Sequence, residues 1–274
     1  MPHASPDALF DALWSQYAKL TPQAKKIAKL FEDGGDEVRN DHVAFRTFDH
    51  PNLGIRHLAA PFEALGYEAR DEYRFEEKKL RARYWAHPDE GLPKVFVSEL
   101  LLAEVSEPAR ELAHGLIDQL SAEELSDPDI VTAGRLWKTD TQTYEALAAE
   151  SEYAGWLAAY GFCANHFTVD VNALSRFDDL SALAAFVEDA GFAMNASGGV
   201  IKGSPDVLLE QCATKASEIM CAFTDGELMI PSCYYEFAKR YPQADGTLYQ
   251  GFVAASADKI FESTDRARGD RERD

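Results

Sequence analysis

The chain contains two copies of one sequence pattern, more than 100 residues apart. NDHVAFRTF (residues 40–48) resembles CANHFTVDV (residues 163–171), and each copy is followed by a helical stretch that ends in glycine and an aromatic residue, FEALGY and VEDAGF. His42 and His166 occupy the same position in the two copies. A repeat of this length predicts two paired modules and not a solenoid of short units.

Each copy predicts a β-α-β-β-β module. In the first, residues 42–48 alternate as a strand and residues 54–66 have helical spacing, with further strands at 67–75, 79–87 and 94–102. In the second, the strand is 165–172 and the helix 180–192, followed by several strand-like stretches between 193 and 238. Thr224-Asp225-Gly226 predicts a hairpin turn among these strands. The predicted fold class is α+β, with both modules in one curved sheet.

The remaining segments set the predicted boundaries within one integrated catalytic domain. Ser5 and Thr21-Pro22 are typical starts of two N-terminal helices, and an Ala-rich acidic stretch predicts a helical insert with helices at 109–120, 121–126 and 143–161. The charged C-terminal tail is predicted to be disordered. The predicted segments are N-terminal helices 1–38, first module 39–105, insert 106–160, second module 161–264 and tail 265–274.

Two such modules in a curved sheet resemble the vicinal-oxygen-chelate superfamily. In that superfamily the helices cover the outer face of the sheet, and the concave face forms a metal-binding cleft. The resemblance implies that His42, Arg46 and His166 face the cleft. The alternating apolar residues, such as Val43 and Phe45, would then pack under a helix.

Charge and composition exclude several classes of partner. The net charge is −20, from 27 basic and 47 acidic side chains, which argues against nucleic acid as a partner. No run of eighteen apolar residues predicts a membrane span, and the N-terminus lacks the pattern of a signal peptide, so we expect a cytoplasmic protein. No CxxC pair occurs, and free thiols are therefore expected at Cys163, Cys212, Cys221 and Cys233.

The two repeated histidines predict a metal site that needs a third ligand. Glu236 lies in the last predicted strand, SCYYEFAKR, where a buried carboxylate is costly unless it is paired or bound to a cation. Two neutral imidazoles and one carboxylate form the facial triad that holds non-haem Fe(II) and leaves positions open for substrate and dioxygen. Two alternatives stay open: Glu99 lies in the equivalent strand of the first module, and Cys163 with His166 could bind zinc, although positions three apart on a strand face opposite sides.

Four basic residues are candidates for substrate binding. Arg46, on the same side of its strand as His42, suits a carboxylate at the far end of a metal-chelated substrate, although an ion pair with a neighbouring acid is an alternative. Arg81 and Arg83 could add positive potential to the cleft or form a solvated edge. Lys202 follows a glycine pair and could contact substrate or belong to a lid. Four further histidines are expected at the solvated surface, namely His50, His57, His87 and His114.

Long blocks of the chain also resemble one family. NDHVAFRTFDHPNLGI, EYRFEEKKLRARYWAHP, KVFVSELLL, IPSCYYEFAKR and GFVAASADKIFEST are similar to blocks of the DUF1338 family, which includes bacterial 2-oxoadipate dioxygenase/decarboxylase, also called 2-hydroxyglutarate synthase. The resemblance runs from about residue 8 to about residue 265. It implies Fe(II) held by His42, His166 and Glu236, in preference to Glu99, and a substrate carboxylate held by Arg46. The characterised 2-oxoadipate enzymes are longer, which implies that a C-terminal segment shaping the substrate end of the cleft is absent here.

The sequence therefore predicts an Fe(II)-dependent dioxygenase/decarboxylase. The expected reaction converts a 2-oxo acid, with 2-oxoadipate as the leading candidate, and O₂ to 2-hydroxyglutarate and CO₂, a step of lysine breakdown. Two other functions stay open: a glyoxalase-like lyase or isomerase with Zn or Ni, and a small-molecule binding protein without turnover. Metal content and a requirement for oxygen separate the three.

Overall fold

The computed structural model describes residues 3–264, and its centre is one eight-stranded mixed sheet. In chain order the strands of this sheet are β1 (Asn40–Phe48), β2 (Glu68–Phe75), β3 (Leu80–Ala86), β4 (Lys94–Leu100), β5 (Ala164–Asp170), β6 (Lys202–Ser204), β7 (Leu209–Ala213) and β10 (Tyr234–Arg240). Their spatial order is β2-β3-β4-β1-β5-β10-β7-β6. A separate two-stranded hairpin consists of β8 (Glu218–Phe223) and β9 (Gly226–Pro231).

The two halves of the sheet have matching topology. β1 pairs in parallel with β4 in the first half, and β5 pairs in parallel with β10 in the second. β1 and β5 join the halves as an antiparallel pair at the centre. The sheet curls strongly, as a half-barrel, so the predicted α+β fold with two repeated modules is confirmed. The repeated histidines therefore lie on the two strands that meet at the centre.

The helices of the described chain are α1 (Pro6–Leu20), α2 (Pro22–Asp33), α3 (Ile55–Ala64), α4 (Glu107–Ile117), α5 (Ala122–Leu125), α6 (Thr141–Glu150), α7 (Glu152–Tyr160), α8 (Leu180–Asp189) and α9 (Ala254–Phe261). Helices α1, α2, α3 and α8 cover the convex face of the sheet, because the central strands present aromatic and branched residues to that side. Phe45 packs against Phe62 of α3 with ring centroids 5.6 Å apart, and Phe167 packs against Tyr17 of α1 at 5.0 Å. None of the described helices has the length and apolar character needed to cross a bilayer.

Three segments differ from the expectations. The predicted helix at 143–161 is two helices, because Ser151 leaves helical geometry and its side chain accepts a hydrogen bond from the Ala154 amide at the start of α7. The hairpin with Thr224 and Asp225 at its turn is present, but its strands stand outside the main sheet. Helix α9, after the last strand, was not predicted. The tail predicted as disordered, 265–274, lies outside the described residues.

A buried carboxylate fastens the N-terminal helices to the second module. Asp36, with a side chain only 1% exposed, accepts hydrogen bonds from the Ser175 amide at 2.7 Å and from Arg176 Nε at 2.7 Å. Burial alone would raise the pKa of Asp36, but the bonds from Arg176 and Ser175 outweigh it and hold that pKa below its usual value. The charged form of Asp36 therefore stabilises the folded chain.

Replacement of this carboxylate should cost stability in a pH-dependent way. Asp36→Ala should lower the free energy of unfolding by about 1–3 kcal/mol at pH 7, because it leaves buried donors without an acceptor. A group with a lowered folded pKa contributes fully above its unfolded pKa, about 3.9, and loses its contribution as the pH falls through the folded pKa. Urea unfolding should therefore show a smaller difference in the free energy of unfolding between Asp36→Ala and wild type at pH 3 than at pH 7. A difference that does not change with pH would contradict the assigned role of the charge.

Candidate metal centre

Three buried side chains converge on the concave face of the sheet. His42 comes from β1, His166 from β5 and Glu236 from β10, and none is more than 4% exposed. One ligand atom of each lies within 4.8 Å of the others, the one group of this kind among residues 3–264. Nε2 of His42 is 3.7 Å from Oε1 of Glu236, and Nε2 of His166 is 3.3 Å from Oε2. The strand pairing thus brings together the three residues that the sequence predicted as metal ligands.

A β-bulge directly precedes each of the two histidines and brings a hydrogen-bond partner to its ring. In the β1–β5 register Asp41 is the extra residue on β1, between Asn40 and His42, and Asn165 is the extra residue on β5, between Ala164 and His166. A bulge bends its strand and redirects side chains, and bulges are common beside active sites. Here each bulge lets the residue before the histidine reach the imidazole: Asp41 Oδ1 is 2.7 Å from Nδ1 of His42, and Asn165 Oδ1 is 3.1 Å from Nδ1 of His166.

These contacts set the protonation of both rings. Burial opposes ionisation of Asp41, but the charges of Arg240 and Lys94 outweigh it and hold the pKa of Asp41 well below its usual value. An ionised carboxylate can only accept, so Nδ1 of His42 carries the proton and Nε2 keeps a lone pair. Burial lowers the pKa of His42. Burial lowers the pKa of His166 well below normal, and repulsion from a protonated His42 and from Arg46 lowers it further. Both imidazoles are therefore neutral, the form that binds a metal.

The carboxylate completes a donor set that fits a cation. Burial raises the pKa of Glu236 to about 8, since nothing nearby compensates its charge fully. Gln211 Nε2 donates to Oε1 at 2.6 Å, whereas Oε2 has no hydrogen-bond partner among the described residues. A buried oxygen without a partner is costly, and a bound cation removes that cost. Two neutral imidazole nitrogens and one carboxylate oxygen match the facial triad of non-haem iron sites.

The rival carboxylate, Glu99, lies on the opposite face of the sheet. Its Oε2 accepts a hydrogen bond from the amide of Ile55, the first residue of α3, at 2.8 Å, and its Oε1 accepts from Arg81 Nε at 2.8 Å. In the β3–β4 register Arg81 pairs with Glu99 and Arg83 with Val97, so both arginines also face outward. Arg81 and Arg83 therefore do not join the cleft, which corrects their predicted role as substrate contacts.

Arg46 does face the concave side, and its guanidinium is already engaged. Nη1 donates to both carboxylate oxygens of Glu152 at 3.1 and 3.3 Å, and Nη2 donates to Thr264 Oγ1 at 3.0 Å. The rings of Tyr153 and Trp156 flank it at 4.8 and 5.0 Å. Its Nε has no partner among residues 3–264. Of the two alternatives raised by the sequence, the ion pair with an acid is present, and the binding of a substrate carboxylate by Arg46 stays a prediction.

The other predicted residues stand apart from the cluster. Lys202 is buried, but its ammonium donates to the backbone carbonyls of Asn195 and Val200 at 2.6 and 3.2 Å and so holds a loop. Cys163 does not belong to any metal-ligand group of the described chain, and all four cysteines are free. The four histidines predicted at the surface also lie outside any such group: His50, His57, His87 and His114.

The end of the described chain closes the cleft. Residues 252–264, here called the cap, contain α9 and lie over the cluster. The Phe252 ring meets the His42 ring edge-on at 4.8 Å, and Ile260 and Phe261 line the cavity at the three ligands. That cavity measures about 20 Å³, space for about one water molecule. The cap thus excludes bulk water from the candidate metal centre.

Several residues of this site were not predicted from the sequence, and some of them left a signal. Asp41 and Asn165 stand at the same place in NDH and ANH, so the repeat that identified the histidines also contained their partners. Gln211 and Tyr234 lie on cleft-facing positions of their strands, which alternation alone could have indicated. The cap left no such signal, because neither periodicity nor a local motif specifies which part of the sheet helix α9 packs against.

Comparisons with known proteins agree with this geometry. The profile of the family described as 2-oxoadipate dioxygenase/decarboxylase matches residues 7–136 and 117–245. The rice protein named 2-oxoadipate dioxygenase/decarboxylase, chloroplastic/amyloplastic, is 36% identical over 90% of this chain and 75% of its own length. The crystal structure of rice hydroxyglutarate synthase in complex with 2-oxoadipate superposes with a TM-score of 0.87 at 35% identity, covering 93% of this chain and 90% of that one. A Shewanella frigidimarina structure, described as a candidate hydrolase, has a TM-score of 0.89 at 48% identity and covers 93% of this chain and 100% of that one. The chain therefore belongs to the 2-oxoadipate dioxygenase/decarboxylase family.

Proposed function

We propose that this protein is an Fe(II)-dependent dioxygenase/decarboxylase that converts 2-oxoadipate and O₂ to 2-hydroxyglutarate and CO₂. The observation that carries the proposal is the buried cluster of His42, His166 and Glu236, with one carboxylate oxygen unpartnered in the described chain. Family membership supports the substrate, since the rice relative was crystallised with 2-oxoadipate. The cytoplasmic location stays a prediction, because the name of the curated rice relative places that protein in plastids.

The residues of the chain have separate tasks in this reaction. The two histidines and Glu236 would hold the iron, and Asp41, Asn165 and Gln211 keep these ligands in place through the contacts at 2.7, 3.1 and 2.6 Å. The chemistry that bound Fe(II) supplies is dioxygen activation and the electron transfer needed for oxidative decarboxylation and hydroxylation. The aromatic and aliphatic side chains of the cap keep water away from the reacting atoms.

Binding of the substrate requires the cap to move. A cavity of about 20 Å³ cannot contain a dicarboxylic acid of this length. Thr264, in the cap, also contacts Nη2 of Arg46, the atom that would bind the distal carboxylate. Displacement of the cap would therefore enlarge the cavity and free one edge of the guanidinium together. We assign to Arg46 the recognition of that distal carboxylate, with its charge partly balanced by Glu152.

Oxygen uptake tests the proposal directly. Protein loaded with Fe(II) under argon should consume O₂ when 2-oxoadipate is added last, with 2-hydroxyglutarate and CO₂ as products. Protein loaded with Zn or Ni is the control and should not consume O₂. Failure of the iron-loaded protein to consume O₂ with any 2-oxo acid of four to seven carbons would refute the proposal and favour oxygen-independent lyase or isomerase chemistry.

Removal of the distal anchor should change selectivity between substrates. Arg46→Ala should lower kcat/KM for 2-oxoadipate by about 10–100-fold, the worth of a hydrogen bond to a charged group, and should affect 2-oxohexanoate far less. 2-Oxohexanoate has the same chain length but lacks the second carboxylate. Arg83→Ala, on the convex face, is the matched control and should change neither value. An equal fall for both acids with Arg46→Ala would show that Arg46 has another role.

A further inference from the structure

Tyr234 is a residue of the cleft whose hydroxyl has no role in the site as described so far. It lies two residues before Glu236 on β10 and is 0% exposed, and its ring stacks on the ring of His166 with centroids 4.6 Å apart and an angle of 23°. Its side chain lines the cavity at the three ligands. Its hydroxyl has no hydrogen-bond partner within residues 3–264. A buried hydroxyl without a partner disfavours folding, and a ligand that accepts its hydrogen bond removes that cost.

The neighbouring residue shows that lack of a partner is not enough to define a site. Tyr235 is equally buried, and its hydroxyl also has no partner in the described part of the chain. It points to the convex face, however, where its ring packs against Trp14 at 5.9 Å and Phe237 at 5.4 Å. Tyr235 therefore faces the core beneath α1. Tyr234 differs because it lines the same cavity as His166 and Glu236.

The chemistry of a phenol suits an oxygen-rich ligand. At neutral pH a tyrosine hydroxyl is protonated, so it donates one hydrogen bond and can also accept. A 2-oxo acid brings only acceptor oxygens at its carboxylates and its carbonyl group. Tyr234 is two residues from Glu236 on β10 and its ring stacks on His166, so it lies next to two of the three metal ligands. Tyr234 also shares a buried cluster and the cavity wall with Ile260 of the cap, the segment that substrate must displace.

We propose that Tyr234 is a further substrate-binding residue, whose hydroxyl donates a hydrogen bond to an oxygen of the bound 2-oxo acid. The assignment rests on the proposed function for the class of ligand. It supplies the missing partner of the hydroxyl, and it gives the substrate a contact in the cavity beside the metal ligands. The stacked ring also holds the His166 imidazole, a task that does not need the hydroxyl.

The test compares two substitutions that remove the same atom from opposite faces of one strand. Tyr234→Phe and Tyr235→Phe both keep the aromatic ring, so packing and the stack on His166 are preserved. Binding of 2-oxoadipate to Fe(II)-loaded protein is measured by calorimetry without oxygen, and Fe(II) affinity is measured separately. Tyr234→Phe should weaken binding of 2-oxoadipate about tenfold and leave Fe(II) affinity unchanged. Tyr235→Phe should change neither.

Three results would overturn the assignment. Unchanged binding of 2-oxoadipate by Tyr234→Phe would show that the hydroxyl does not contact it. An equal loss of Fe(II) affinity and substrate affinity would assign Tyr234 to the support of His166 alone. If the wild-type protein does not bind 2-oxoadipate, the proposed function is overturned and this assignment with it. The wild-type measurement alone therefore distinguishes failure of the proposed function from failure of the Tyr234 assignment.

Discussion

His42→Ala should abolish oxygen uptake with 2-oxoadipate and lower Fe(II) affinity by more than about 100-fold. Substitution of residues that only support metal ligands costs about 10–100-fold in affinity, and loss of a ligand should exceed that. The remaining pair, His166 and Glu236, would hold the ion with two ligands, and Glu236 would lose one of the two imidazoles that face it. Iron content after dialysis and O₂ uptake in an electrode cell measure the two effects.

The control is a histidine outside the cluster. His57 lies in α3, on the convex side of the sheet, and is not part of any metal-ligand group of the described residues. His57→Ala should keep both iron content and O₂ uptake within about twofold of wild type, as expected for a side chain distant from the chemistry. If His42→Ala kept its iron and its activity, the metal centre would have to lie elsewhere.

Arg240→Met should destabilise the fold by about 3–5 kcal/mol, the cost of removing one partner from a buried ion pair. Arg240 Nε and Nη2 donate to Asp41 at 2.5 and 2.9 Å, and both side chains are 3% exposed. Nη1 donates to the carbonyls of Tyr249 and Gly251, just before the cap. The substitution would leave Asp41 as a buried charge and release the segment that leads into the cap. Urea unfolding at pH 7 measures the loss.

Two comparisons separate the buried charge from a general loss of packing. Asp41→Asn combined with Arg240→Met removes both charges and should lose less stability than Arg240→Met alone. Lys29→Met breaks the exposed Lys29–Asp33 pair, at 2.8 Å, and should cost less than about 1 kcal/mol. A loss below about 1 kcal/mol for Arg240→Met would contradict a buried, desolvated pair.

The repeat explains why the sequence predicted so much of the centre of this molecule. Equivalent strands of two paired modules become neighbours, so equivalent histidines could be expected to meet, and in the structure β1 and β5 are adjacent. Glu236 was predicted as the third ligand because a carboxylate in an apolar strand is costly to bury without a partner or a cation. Glu99 met the same criterion, and from the residues alone the two could be ranked but not decided, because only the register shows which of them faces α3.

Alternation along a strand separates two faces without saying which one is concave. On β3 one face carries Arg81, Arg83 and Trp85, and the other carries Leu80, Ala82 and Tyr84; both include buried aromatic residues. The sequence therefore left both arginines open between the cleft and a solvated edge. In the structure Trp85 Nε1 donates to Glu63 of α3 and the Tyr84 ring faces Phe252 of the cap, so the arginine face is the convex one. The cap itself depends on contacts between residues far apart in the chain, such as Arg46 with Thr264, which periodicity cannot reveal.

With the proposed Fe(II) bound, the positions of the three ligands would link iron supply to the lifetime of the folded chain. His42 belongs to the first half of the sheet, and His166 and Glu236 belong to the second, so one ion would cross-link halves that are joined in sequence only through a long insert. An ion that binds only the folded state stabilises it by about 2.7 kcal/mol when its free concentration is 100 times Kd. A cell short of iron would then lose protein as well as activity, because apoprotein unfolds more often and is degraded sooner.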